Sequence, residues 1–145
     1  MKKLLYSLVV VLLSINTLAA EERVIDQEML PKSAKSFIEK NYPSDKISIA
    51  TMERGVLDKD YKVILTSGVK IEFDKSGNWS EIECKRNSEV PMDIIPEKIV
   101  TYVKAKFPNN KVLKVEKDHK SIELELDNDL ELKFNKKGDL VEVDN

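Results

Sequence analysis

The chain has 145 residues, with 24 basic residues, 26 acidic residues and a net charge of −2. This length accommodates one or two small domains and excludes a large multidomain enzyme. Charged residues make up 34%, and there are only four glycines and five prolines, which excludes collagen-like and low-complexity chains. The balanced charge gives no basic surface of the kind that binds nucleic acid, so we expect no nucleic-acid partner.

The first twenty residues have the organisation of a secretory signal peptide. Lys2 and Lys3 precede an apolar run from Leu4 to Leu13, and small residues follow up to Ala20. The run is shorter than the roughly 20 apolar residues that a transmembrane helix needs. We therefore expect cleavage near Ala20, no lipoprotein cysteine, no membrane span afterwards, and a periplasmic or secreted location. An uncleaved N-terminal anchor is the alternative. The mature chain then has 22 basic and 26 acidic residues.

Two segments of the mature chain share the pattern of a short amphipathic helix. Residues 30–45 and 95–110 each have a proline near the start, then an apolar stripe, then an aromatic residue followed by proline. Proline is tolerated in the first helical turn, and it disfavours helix in the residue before it. The stripes recur at helical spacing: Leu30, Ala34, Phe37 and Ile38, then Ile95, Ile99, Tyr102 and Val103. We expect one three-turn helix in each segment.

The segments that follow the two helices correspond at a spacing of 61 residues. Residues 61–83 and 122–144 alternate between apolar and polar residues, which predicts half-buried antiparallel strands. The matched apolar positions are Tyr61/Ile122, Val63/Leu124, Leu65/Leu126, Val69/Leu130, Ile71/Leu132 and Phe73/Phe134. One further strand is expected before each segment. The sequence thus predicts an α+β fold of two tandem repeats, residues 21–86 and 87–145, each one helix packed on a four-stranded antiparallel sheet.

The turns between the predicted strands fix their register. A three-residue loop after Leu65 needs a left-handed residue, which Gly68 supplies and Asp129 supplies in the second repeat. The next turn is predicted to pair Phe73 with Asn78. This register directs three more side chains into the core: Cys84, Val141 and Val143. As the only cysteine, Cys84 can form no internal disulfide, and a reactive or intermolecular thiol is the alternative to a buried one.

In the first repeat, the predicted register also defines a face that points away from the helices. It brings Trp79 beside Glu72 and Lys62, and it brings Glu81 beside Lys70 and Ile64. An exposed tryptophan near an isoleucine is a candidate anchor for a protein partner. The alternative is that a second layer, the other repeat or a local strand bend covers Trp79, because tryptophan side chains are mostly buried.

The second repeat has a more acidic outer face. Glu125, Glu131 and Glu142 are predicted to form one row across three strands. Such a row is either solvated and balanced by Lys114, or it receives a cation or a basic partner. The candidate protein-binding face therefore comprises Lys62, Ile64, Lys70, Glu72, Trp79, Glu125, Glu131 and Glu142.

No catalytic signature accompanies this face. His119 is the only histidine and lies in a predicted turn, so neither a zinc site nor a Ser/His/Asp triad can be assembled around it. The turns that begin at Asp74 and Asn135 resemble fragments of calcium loops but lack the other ligands. We predict a protein that is not an enzyme and has no cofactor, metal or catalytic residues.

The motif Tyr61-x-Val63-x-Leu65, Gly68, Ile71-x-Phe73-Asp74, Gly77 and Trp79, with its second copy, resembles the PepSY-like family of secreted bacterial proteins. That family is described as similar to the beta-lactamase inhibitor protein. The resemblance implies tandem helix-plus-sheet units with the helices on one sheet face and an open, concave face opposite. In the inhibitor the open face docks on an enzyme through aromatic residues. PepSY-type domains are also associated with restraining extracytoplasmic peptidases.

We accordingly predict a monomeric, non-enzymatic envelope protein that binds an unidentified protein partner through its open sheet face. One alternative is a cation- or small-ligand-binding module that uses the glutamates of the second repeat. A homodimer formed through a sheet edge is the other alternative.

Overall fold

The structure, a computed structural model, describes residues 21–55 and 58–145. The predicted signal peptide lies outside the described residues. In chain order the strands and α-helices are β1 (Glu21–Val24), α1 (Lys32–Asn41), β2 (Ile47–Arg54), β3 (Lys59–Leu65), β4 (Lys70–Phe73), β5 (Trp79–Glu83), α2 (Glu97–Lys106), β6 (Val112–Lys117), β7 (Ser121–Leu126), β8 (Glu131–Asn135) and β9 (Leu140–Asp144). A single 3₁₀ turn precedes each helix, at Gln27–Met29 and Met92–Ile94.

The nine strands form one antiparallel sheet in which neighbours in sequence are neighbours in space. Strand β5 pairs with β6 across the link between the halves, with Ile82 opposite Val115. The sheet is therefore continuous. The predicted four strands in the first half omitted β1, which pairs with β2 at the outer edge, for example Val24 with Thr51.

Both helices pack on the same face of this sheet, as their apolar stripes predict. Helix α1 begins after Pro31 and α2 after Pro96. Buried residues of α1, α2 and the strands form one hydrophobic cluster. Each helix places one aromatic ring edge-on against a buried phenylalanine, and the ring centroids are 5.8 Å apart for Phe37–Phe73 and 5.7 Å apart for Tyr102–Phe134.

The predicted left-handed turn residues are confirmed. Gly68 has φ +89° and Asp129 has φ +66°, and their N–H groups bond to the carbonyls of Leu65 and Leu126 respectively. Glycine and aspartate thus both fit this turn position, because aspartate adopts the left-handed region more readily than most residues.

The predicted pairing of Phe73 with Asn78 is wrong. Phe73 pairs with Trp79, and a bulge separates this pair from Glu72 opposite Glu81. The cause is the Asp74 carboxylate, which accepts hydrogen bonds from the backbone N–H groups of Ser76 and Asn78 at 2.8 and 3.0 Å. This side-chain bonding closes the turn between Asp74 and Asn78 and moves the register of β5. Cys84 still faces the core and is buried, as predicted.

The second half repeats the bulge, which corrects two further predictions. Phe134 pairs with Leu140, and the irregularity follows between Lys133 and Phe134. Val141 is 57% exposed and Val143 is 51% exposed, so neither is a core residue. Val141 is the extra residue of the bulge. Val143 lies opposite the buried Leu132, but β9 is the last strand of the described sheet and its outer side is uncovered.

Candidate functional site

On the sheet face opposite the helices, two rows of side chains run across strands β2 to β9. The first row is Thr51, Lys62, Glu72, Glu81, Glu116, Glu123, Lys133 and Glu142. The second row is Ile49, Ile64, Lys70, Glu83, Lys114, Glu125, Glu131 and Asp144. We call these two rows the open face. It carries nine carboxylates and four lysines, a net charge of −5.

Three of the four lysines each hold one carboxylate on a neighbouring strand. The nitrogen–oxygen distances are 3.4 Å for Lys62–Glu72, 2.9 Å for Lys70–Glu83 and 2.6 Å for Lys133–Glu123. The predicted neighbour of Lys62 is confirmed. The predicted neighbour of Lys70, Glu81, is wrong because the bulge moves Glu83 into that place. These pairs are accessible to solvent, so each contributes little to the stability of the fold.

Lys114 occupies the centre of the open face and has several carboxylates around it. Its Nζ lies 3.3 Å from Glu81 and 3.6 Å from Glu116, and Glu125 is opposite it on β7. Burial alone would lower the pKa of Lys114, but the carboxylates, that of Glu81 first, raise it above its usual range. Burial and repulsion from Glu72 raise the pKa of Glu81 although Lys114 opposes the shift. Lys114 is thus the main counter-charge of this region.

Removing the Lys114 charge is expected to destabilise the fold in a pH-dependent way. Lys114→Gln leaves Glu81 and Glu116 without a cation, and we expect a loss of about 1 kcal/mol at neutral pH. A raised carboxyl pKa favours the protonated form in the fold, so the loss should shrink as pH falls through the pKa of Glu81. Chemical denaturation at several pH values measures this.

Lys133→Gln is the matched control for that experiment. Lys133 pairs with the single carboxylate Glu123, and the pair is exposed to solvent, so we expect a smaller loss than for Lys114→Gln. Equal losses for the two variants, or a Lys114→Gln loss that does not vary with pH, would contradict the central role of Lys114.

The predicted row of three glutamates is partly reproduced. Glu125 and Glu131 are opposite each other on β7 and β8. The bulge in β9 moves Glu142 beside Lys133, and Asp144 takes the place beside Glu131. A shallow pocket of about 130 Å³ lies here, lined by Lys114, Glu116, Glu123, Leu124, Glu125 and Glu131.

Trp79 is not part of the open face, which corrects its predicted position. It is half-buried against the core on the helix side, with its ring centroid 6.3 Å from that of Phe37. The ammonium of Lys117 lies 3.9 Å from the centroid of the indole ring. Burial lowers the pKa of Lys117, and repulsion from Lys136 adds to the shift. The bulge beside Ser80 turns Trp79 to this side, so of the predicted alternatives the local strand bend is the one observed.

The fluorescence of Trp79, the only tryptophan, reports on this position. We expect blue-shifted emission with partial protection from acrylamide, because Phe37 and Lys117 cover the ring. Phe37→Ala should shift the emission to the red and increase quenching. Tyr102→Ala removes the equivalent ring of α2 and should leave the emission unchanged. Red-shifted, freely quenched emission from the unaltered protein would refute the placement.

The described part of the chain offers few other groups for metal binding, membrane insertion or thiol chemistry. Among residues 21–55 and 58–145, no group of three or more His, Cys, Asp or Glu side chains is arranged to hold a metal ion. No described helix is long and apolar enough to cross a membrane. Burial raises the pKa of the Cys84 thiol to about 11, although a hydrogen bond with Ser88 opposes the shift, so this thiol is protonated at neutral pH.

Residues 59–142 match the family described as "putative beta-lactamase-inhibitor-like, PepSY-like". The chain belongs to this PepSY-like family. The family resemblance predicted from the hairpin motif is therefore confirmed. A search of curated proteins finds no match.

Three solved structures of Bacteroides proteins are similar to this PepSY-like chain, each with a TM-score of 0.82. A "putative calcium-regulated periplasmic protein" from Bacteroides thetaiotaomicron is 43% identical, and the match covers 86% of this chain and 97% of the other. A periplasmic protein of the DUF2874 family from Bacteroides vulgatus is 38% identical, with 88% and 99% coverage. Another B. vulgatus periplasmic protein of unknown function is 33% identical, with 86% and 100% coverage.

Sequence reasoning missed three charged members of the open face of this PepSY-like protein: Glu83, Glu116 and Asp144. Glu116 lies on a strand whose register the sequence did not fix. Glu83 and Asp144 follow the bulges, so their rows depend on one inserted residue in each half. The sequence signal for the bulges lies in the turns that begin at Asp74 and Asn135 and contain a glycine three residues later. The side-chain oxygen of Asp74 or Asn135 accepts backbone hydrogen bonds within the turn and so changes the pairing of the next strand.

Proposed function

We propose that this PepSY-like protein is a non-enzymatic periplasmic binding protein whose open face docks on a basic surface of a protein partner. One observation carries the proposal: the two rows of the open face hold nine carboxylates against four lysines. The inhibitor-like family and the periplasmic relatives support it. The action would be occlusion of the partner's surface.

The charge surplus is concentrated at one end of the open face. The four lysines hold the carboxylates of β4, β5, β6 and one of β7. The remaining carboxylates form no ion pair with any described residue: Glu125, Glu131, Glu142 and Asp144. A basic partner would pair with these groups first, and the field of the face would speed and orient its approach.

The other end of the open face offers apolar contact. Ile49 and Ile64 lie opposite each other on β2 and β3, and Ile49 is 44% exposed. Lys62, Lys70 and Glu72 border them. The predicted binding residues Lys62, Ile64, Lys70, Glu72, Glu125, Glu131 and Glu142 are therefore retained in the proposal, and Trp79 is removed.

We further infer the organisation that accompanies this function. Residues 1–20 would be a cleaved signal peptide, and residues 21–86 and 87–145 would be two tandem units of one helix and four strands. The support is the 61-residue spacing and the recurrence of the bulge, with Phe73–Trp79 matching Phe134–Leu140.

Neutralising the unpaired carboxylates is the test. The variant Glu125→Gln/Glu131→Gln/Glu142→Gln should associate about tenfold more slowly with a basic partner at low salt. Immobilised protein would capture partners from periplasmic extract, and association rates would follow by surface binding. The control Glu39→Gln/Glu89→Gln/Glu97→Gln changes three exposed carboxylates away from the open face. Identical capture and rates for both variants would refute the proposal.

Calcium binding is a second candidate function. A 43% identical relative is described as calcium-regulated, and the unpaired carboxylates of Glu125 and Glu131 line the pocket beside Lys114, which is not arranged as a complete metal site among the described residues. At a calcium concentration one hundred times its Kd, stability should rise by about 2.7 kcal/mol. Thermal melting in calcium, with magnesium as control, measures this, and Glu125→Gln/Glu131→Gln should abolish the shift. An unchanged melting temperature at millimolar calcium would reject this candidate.

A further inference from the structure

The outer edge of β9 is exposed, and its protection is limited to the bulge at Val141 and the acidic side chains of Glu142 and Asp144. Its inner side pairs with β8, and no described strand pairs with its outer side. The sequence of Leu140–Asp144 is Leu-Val-Glu-Val-Asp, and its two valines are more than half exposed. Natural edge strands are commonly blunted by lysine or proline. Strand β9 contains neither.

Strand β5 corresponds to β9 at the 61-residue spacing, and its outer side is paired with another strand. It therefore shows which kind of strand pairs with an edge of this sequence. Val143 corresponds to Ile82, and Asp144 corresponds to Glu83. Strand β6 covers the outer side of β5, where Val115 lies opposite Ile82 and Lys114 opposite Glu83. Ile82 is fully buried as a result, whereas its counterpart Val143 is 51% exposed.

We propose that the β9 edge is a strand-addition site for an extended segment of a partner protein in which a basic residue is followed by an apolar one, as Lys114 is followed by Val115 in β6. The partner segment would place an apolar side chain beside Val143 on the helix side. It would place a lysine or arginine beside Asp144 on the open-face side. Backbone hydrogen bonds along the edge would supply affinity, and these two side-chain positions would supply specificity.

The charges at this edge favour a basic segment over a second copy of the chain. The nearest open-face groups are Glu131, Glu142 and Asp144, with Lys133 alone opposing them. The other sheet edge of a second copy is β1, whose residues include Glu21 and Glu22. Pairing these two edges would bring like charges together, which is destabilising. Strand β2 of a second copy is already covered by β1.

A peptide taken from this chain provides a defined probe. The peptide of residues 111–118, Lys-Val-Leu-Lys-Val-Glu-Lys-Asp, contains the β6 strand that covers β5. We would titrate it into ¹⁵N-labelled chain that starts at Glu21 and follow amide shifts and hydrogen exchange. Shifts and slowed exchange at β9 are expected. The peptide with Lys114→Glu should bind about fivefold more weakly, because it faces Asp144 with a like charge.

Two protein variants with the same substitution at opposite edges complete the test. Val143→Lys places a cation on the edge of β9 and should weaken binding at least fivefold. Val24→Lys, on the 76% exposed Val24 of β1, should leave binding unchanged. Absence of binding up to millimolar peptide, shifts confined to β1, or shifts spread over the open face without slowed exchange at β9 would each overturn the proposal. The glutamine variants of the open face keep the β9 backbone and both valines, so the two proposals can fail separately.

Discussion

Replacing Phe73 by alanine should lower the free energy of unfolding by about 3–5 kcal/mol, the cost of removing a large aromatic side chain from a packed core. Phe73 has no exposed surface, contacts the edge of the Phe37 ring, and pairs with Trp79 on the adjacent strand. The truncation leaves a cavity between α1 and the sheet that the surrounding strands cannot fill. Urea denaturation, with the slope compared between variants, measures the change.

Phe134→Ala is the matched variant in the second half. Phe134 is also fully buried and contacts Tyr102 of α2 in the same edge-on geometry, so a similar loss is expected. One cooperative transition in both variants would fit the continuous sheet, in which β5 pairs with β6. A loss below about 1 kcal/mol in either variant would contradict the core position of that ring.

The helices and most of the sheet were predictable because their signals are periodic and local. The stripes of Ala34 and Ile38 in α1 and of Ile99 and Val103 in α2 recur at helical spacing, and all four residues are buried. The period-two alternation placed β3 and β4 with the correct register, including Lys62 opposite Glu72. Repetition at 61 residues gave two independent examples of each pattern.

Strand β1 was not predictable from the same signals. Its sequence, Glu-Glu-Arg-Val, has no apolar alternation, and all four side chains are exposed. It is a strand because the edge of β2 offers backbone partners, which is a tertiary effect that overrides local preference.

The position of Trp79 depended on one inserted residue. A one-residue change of register moves a side chain to the other face of a sheet. The bonds from the Asp74 carboxylate to the backbone of Ser76 and Asn78 produce that change before β5 begins. The alternation of apolar and polar residues in β5 does not by itself indicate this change of register. The equivalent turn at Asn135 shows the same bonding to Lys137 and Asp139, so the irregularity is built into both halves.

The position of Trp79 on the helix side changes the composition of the binding face that the family resemblance implied. The resemblance implied docking through aromatic residues, and the described open face contains none. Its apolar contribution is limited to Ile49 and Ile64, while carboxylates outnumber lysines by nine to four. Electrostatic docking depends on ionic strength, so the docking that we propose for the open face should weaken at high salt.

Substituting Gly77 should cost far more than substituting its counterpart Gly138, although both glycines have the same backbone conformation. Their φ angles are +82° and +79°, so alanine at either site costs about 1–2 kcal/mol of left-handed strain. At Gly77 a Cβ would also meet the Ser33 hydroxyl and come within 2.7 Å of the Pro31 Cβ. This contact adds about 1–3 kcal/mol of overpacking, because both groups belong to the fixed start of α1.

At Gly138 the nearest atom to an added Cβ is the Lys98 Cδ, 3.1 Å away on a flexible side chain that can move aside. The Lys98 Cβ, 3.3 Å from the added atom, needs to shift by only a few tenths of an ångström, so the loss in Gly138→Ala should come mainly from the strain. Urea denaturation of the two alanine variants isolates the cost of the α1 contact as the difference between them. Equal losses would mean that α1 does not rest on the β4–β5 turn. A larger loss at Gly77 would establish the contact between α1 and the β4–β5 turn. It would also support the position of Trp79 on the helix side of the sheet, because Trp79 follows directly after this turn.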